Sequence, residues 1–223
     1  MSNPQHPSEA IIIFHGIGMS KWIMKPIATY LMKQGYYIVN QDYPSRKMNI
    51  EQLATTFVAQ AIHKAQSIQP EKIHFVVHSL GSILVRAYFQ NKTLSNAGRV
   101  VMLGPPNHGS ELADAIREWK LYKTLFGPAG QELITGPQGP GRLKPIDLEV
   151  GVIAGTKSAH PFNWMLENSN DGAVSLNSTR LPEMKDFISM PVAHTPMLLN
   201  KDVMQQVVHF LQSGVFDHET PAE

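Results

Sequence analysis

Short, almost continuous apolar runs bounded by Gly, Pro or Asp recur along the chain. They are AIIIFHG (10–16), GYYIVNQDYP (35–44), KIHFVVHS (72–79), GRVVMLGPP (98–106), LEVGVIAGT (148–156) and DFISMPVAH (186–194). A strand covered on one side alternates apolar and polar residues, so unbroken runs predict strands buried on both faces. Between them the apolar positions fall at helical spacing, as in Trp22, Ile23, Ile27, Tyr30 and Leu31, or Leu53, Phe57, Val58, Ala61 and Ile62. Strands alternating with helices predict an α/β chain: a mostly parallel central sheet of about six strands with helices on both faces.

One segment breaks this rhythm, at about 110–146. Leu112, Ala115, Ile116, Trp119, Tyr122 and Phe126 form a stripe that predicts one amphipathic helix of about four turns. GPAGQELITGPQGPGRLKP (127–145) follows and cannot continue it. Insertions in such sheets collect beyond the carboxyl ends of the strands, where ligands bind. The segment therefore reads as a small cap whose Trp119 and Phe126 meet a substrate. The other reading is an ordinary sheet-covering helix followed by a surface loop.

Composition narrows the chemistry. At 223 residues and 43% apolar content, one domain spanning 1–223 can bury a sizeable core. Lys and Arg number 19 against 18 Asp and Glu, interspersed, so there is no basic stripe of the kind nucleic acid requires. The chain has no cysteine, which excludes disulfides, thiolate catalysis and cysteine-held metals. No stretch approaches the roughly 20 apolar residues of a membrane span. The first apolar run lacks a basic flank and is short for a signal sequence, which reads as a cytoplasmic protein.

Ser79 stands where the strand IHFVV ends and a helical pattern (Ile83, Leu84, Ala87, Tyr88) begins. It either caps that helix or is a nucleophile on a strand-to-helix turn, whose motif is Gly-x-Ser-x-Gly. Here the motif reads VHSLG, with Val77 in the first glycine position. A glycine-flanked turn, FHGIG (14–18), follows the first strand and can present the amide of Ile17 to a developing oxyanion, beside the amide of Leu80 after the serine. With GPPNHGS (104–110), and NDGAVSLNSTRLP (170–182) running on to AHTPML (193–198), these motifs resemble the α/β-hydrolase superfamily, and within it the compact bacterial lipases and esterases.

The resemblance implies an α/β-hydrolase fold and a triad in the order Ser, acid, His. Asp171, after the penultimate strand, takes the acid position, and His194, after the last strand, takes that of the base. Asp147, Asp186 and Asp202 lie at the wrong end of the sheet or in the final helix. Of the other histidines, His6 and His218 are terminal, and His63, His74 and His209 fall within regular elements. His160 precedes the acid and breaks the chain order. His15, His78 and His108 lie in the motif loops and are candidate substrate contacts, with loop-holding as the alternative for His15. The expected reaction is ester hydrolysis through an acyl-enzyme, without cofactor or metal, on a small-molecule or lipid ester. Acyl transfer and thioester hydrolysis would use the same residues, and an inert binding protein of this fold is the alternative from another class.

Overall fold

The computed structural model describes residues 8–158 and 169–219, so His6 and His160 lie outside the described residues. Each of the six apolar runs contains one strand: β1 (Glu9–Phe14), β2 (Tyr37–Gln41), β3 (Lys72–His78), β4 (Ala97–Leu103), β5 (Val150–Gly155) and β6 (Asp186–Met190). They form one sheet in the order β2-β1-β3-β4-β5-β6, and every neighbouring pair is parallel. The helices are α1 (Lys25–Lys33), α2 (Ile50–Leu53), α3 (Ala59–Gln66), α4 (Leu80–Tyr88), α5 (Glu111–Ile116), α6 (Lys120–Gln131), α7 (Leu176–Thr179) and α8 (Lys201–Ser213).

The reason the runs are unbroken is visible in β1. Ala10, Ile12 and Phe14 pack on one face with α2, α3 and α4, whereas Ile11 and Ile13 pack on the other with α1 and α8. Both faces are dry, so alternation has nothing to mark. Burying each isoleucine contributes about 1.5–3 kcal/mol.

Local chemistry sets the helix ends. Asn49 and Gln52 form a reciprocal capping box at α2, Asn200 caps α8 through Val203 N, and left-handed Gly214 closes it. Between α2 and α3 the helix widens into a π turn over Ala54–Val58.

The expected single helix over 112–126 is two helices. The apolar spacing runs on, but the backbone turns between Ile116 and Lys120, and Trp119 is extended at φ −67°, ψ 128°. A second break falls at Gly127, with φ 60° and ψ −159°. A Cβ there would lie 1.8 Å from the Arg46 carbonyl oxygen, so the chain presses against the loop after β2. Glu132 Oε2 also accepts from Ile50 N at 2.7 Å, capping α2 from across that contact.

Candidate active site

All the motif loops emerge at the carboxyl ends of the parallel strands. Ser79 ends β3 and opens α4 with φ 51° and ψ −120°, a positive φ that a non-glycine side chain rarely adopts. Its side chain makes no capping hydrogen bond to α4, so the structure gives it no role as a helix cap. The turn is held from elsewhere: Ser79 N donates to Leu103 O at 3.0 Å. Gly81 lets α4 meet the sheet, since a Cβ there would lie 2.8 Å from Phe14 Cβ and 2.9 Å from its carbonyl oxygen. Val77, in register with Phe14 and Met102, is fully buried in the same core as Leu80. The close approach of α4 to β1 is thus made at Gly81, and a valine fits at the other motif position.

Asp171 and His194 meet across the ends of β5 and β6. His194 Nδ1 is 2.7 Å from Asp171 Oδ2, and His194 N donates to Asp171 O at 2.9 Å. The other carboxylate oxygen, Oδ1, accepts from the amides of Ala173 and Val174 at 3.0 and 2.9 Å. A buried carboxylate is stable only with such donors, and Asp171 is 2% exposed. Space for the pair is made by glycine: a Cβ on Gly104 would stand 2.9 Å from Asp171 Oδ2 and 3.0 Å from His194 Nδ1, and one on Gly155 would stand 2.7 Å from Asp171 Cβ.

The FHGIG turn lies against the serine. A Cβ on Gly16 would be 3.1 Å from Ser79 Cβ and 2.8 Å from His78 Nδ1. Tyr43 Oη donates to His15 O at 2.6 Å, and Gly18 N donates to Ser45 Oγ at 3.0 Å. This fixes the backbone on either side of Ile17. Leu80 is the first residue of α4, where amides have no acceptor within the helix.

Ser79 and His194 share a cavity of 210 Å³, whose walls include Ile17, Met19, Pro106, Leu112, Ile116, Tyr122, Phe126, Leu133 and Val174. The inner faces of α5 and α6 therefore roof the site. Tyr122 Oη donates to Gly130 O at 3.1 Å, and burial pushes its pKa up to about 12, so it presents a neutral ring.

Four expected substrate contacts lie elsewhere. Trp119 is 48% exposed, because the turn before α6 takes it off the stripe. His15 is buried, stacked on Tyr43 with ring centroids 4.2 Å apart, its nitrogens facing Gly16 O and Asp42 Oδ1. His108 is exposed and borders a separate surface hollow with Gly141 and Arg142. His78 is buried behind the pair, against His194. Phe126 alone of the five lines the cavity.

The sequence reading missed a buried polar hub behind the site. Arg86 on α4 is 2% exposed and donates to Asn107 O at 3.0 Å, Asn107 Oδ1 at 3.2 Å and Leu143 O at 3.0 Å. Asn107 Nδ2 in turn donates to Thr179 O at 2.7 Å. Burial lowers the Arg86 pKa to about 10, so it stays charged. The clue was Asn107 itself, a polar residue inside the Gly-Pro-Pro loop.

The all-parallel sheet and its strand order are those of the α/β-hydrolase fold, and the chain has that fold. No family model and no curated protein matches the sequence. Solved structures do. The mature form of a lipase from Bacillus licheniformis superposes with a TM-score of 0.75 over 95% of this chain and 94% of that one, at 20% identity. Phospholipase PlaB from Legionella pneumophila gives 0.69 over 92% and 57%, at 16% identity. A lipase-esterase related protein from Clostridium acetobutylicum gives 0.62 over 94% and 96%, at 15% identity. Among the described residues no helix is long and apolar enough to cross a membrane.

Proposed function

We propose that the chain is a serine hydrolase of carboxylic esters. One observation carries this reading: Ser79, in a strained turn and free of any capping role, shares an apolar cavity with His194, whose other side is held by buried Asp171. A serine hydroxyl is a weak nucleophile until a neutral imidazole removes its proton. With Nδ1 engaged by Asp171, Nε2 is the nitrogen that accepts it.

In this mechanism Ser79 Oγ attacks the ester carbonyl carbon as its proton passes to His194. Asp171 stays ionised, fixes the tautomer and stabilises the imidazolium. The oxyanion is held by the amides of Ile17 and Leu80. Collapse breaks the carbonyl carbon–alkoxide bond, and His194 protonates the leaving alcohol. A water, deprotonated by the same ring, then releases the acid from Ser79. The likeness to lipases and esterases supports an ester as substrate, and the apolar walls suit an acyl chain.

The test is a hydrolysis screen over p-nitrophenyl esters of graded acyl length, with an amide and a thioester included, on the native chain and Ser79→Ala. Ester turnover that vanishes in a folded Ser79→Ala supports the reading. A folded variant that keeps its turnover refutes it.

A further inference from the structure

His78 immediately precedes Ser79, yet its ring is not in the cavity. It is fully buried, and its Nε2 lies 3.0 Å from the carbonyl oxygen of His194, 116 residues away in the chain. A carbonyl only accepts, so Nε2 carries the hydrogen and donates, and Nδ1 is bare in the neutral ring. That Nδ1 has no hydrogen-bond partner among the described residues, and the Gly16 backbone closes over it. The ring also lies against the His194 imidazole, with centroids 4.7 Å apart and planes inclined at 48°.

A buried, unpartnered nitrogen costs free energy, and an apolar side chain would avoid that cost. What the histidine supplies in return is a tether. Asp171 holds His194 from one side, through its carboxylate and its carbonyl. From the other side the base's own carbonyl is held by the residue next to the nucleophile. We infer that His78 is a positioning residue: its Nε2–H fixes the His194 backbone relative to Ser79, so that nucleophile and base move as one unit.

The groups facing His78 agree with a ring that stays neutral. Its neighbours are His194 on the loop after β6 and His15 on the loop after β1. Burial, then the nearby His194 charge, hold its pKa well below the ordinary histidine value. When His194 takes up the serine proton, no second cation stands behind it.

The inference rests on the hydrolase reading, and its test separates the two. Kinetics on His78→Leu and His78→Gln, each checked for folding by melting temperature, ask whether the donor matters. In His78→Leu we expect kcat to fall about 100-fold, the scale of a misplaced catalytic group, with KM within about twofold. His78→Gln, whose amide can still donate, should recover at least a tenfold share of that loss. Equal activity in the two variants overturns the inference, and so does an effect on KM alone. In the unmodified protein, nitrogen-15 NMR at pH 7 to 9 should show the Nε2–H tautomer of His78, and an Nδ1–H tautomer overturns the inference without any variant. If Ser79→Ala is inactive while His78→Leu keeps native kcat, only the positioning role fails. If Ser79→Ala remains active, the hydrolase reading itself fails.

Discussion

At Ser79 the backbone sits at φ 51°, ψ −120°, a conformation that costs an L-residue about 1–3 kcal/mol. Glycine adopts it freely. Ser79→Gly is therefore expected to melt higher than the native chain while losing all ester turnover, and a lower melting temperature would contradict stored strain. The acid can be tested in the same way: Asp171→Asn should lower kcat by roughly 10⁴-fold by favouring the wrong imidazole tautomer, whereas a loss under tenfold would point to another acid. That Ser79, Asp171 and His194 stand at strand ends was legible from the apolar runs that precede them. Gly104 and Gly155 were not, since they act by leaving space for Asp171 and His194, and no sequence pattern records what a missing side chain would have struck. The sequence makes His78 a candidate substrate contact beside the serine, whereas its ring is buried outside the cavity. Its partner is a carbonyl supplied from the far end of the chain.

Among the elements, α5 and α6 show where periodicity misleads. Leu112, Ile116, Tyr122 and Phe126 do face the cavity, as one stripe would, but the turn between the helices takes Trp119 out to solvent. Spacing cannot register a turn that leaves the apolar count intact. The two aromatics then give opposite predictions. Phe126→Ala should raise KM more for longer acyl chains than for acetate, because it opens the cavity wall. Trp119→Ala should leave the chain-length profile unchanged and alter stability by less than about 1 kcal/mol, as exposed substitutions do. A profile moved by Trp119→Ala and untouched by Phe126→Ala would reverse this assignment. The π turn at Ala54–Val58 was likewise hidden, since Leu53, Phe57 and Ala61 keep ordinary helical spacing.

For the whole molecule, the six strands and their parallel sheet were readable because the central strands β1, β3 and β5 are buried along almost their whole length, and the edge strands β2 and β6 are short apolar runs bounded by turn residues. The order in which they pair was implied only by the family resemblance. The fold also has a pH limit. His74 accepts from Arg99 N at Nδ1, 2.9 Å away, and its pKa and that of His78 are lowered in the fold, first by burial. The unfolded chain binds protons at both below its ordinary histidine pKa, so stability is present above about pH 6.5 and declines as pH falls beneath it. Melting curves between pH 7 and pH 5.5 should show that decline, and His78→Gln should flatten it. All of this organises one strand-end site, in which we propose that Ser79 is a nucleophile activated by His194. The most direct measurement is mass spectrometry of the chain after treatment with a fluorophosphonate. One adduct is expected, on the peptide holding Ser79, absent from Ser79→Ala and formed far more slowly in His194→Ala. An unlabelled native chain, or an adduct on any other residue, would contradict it.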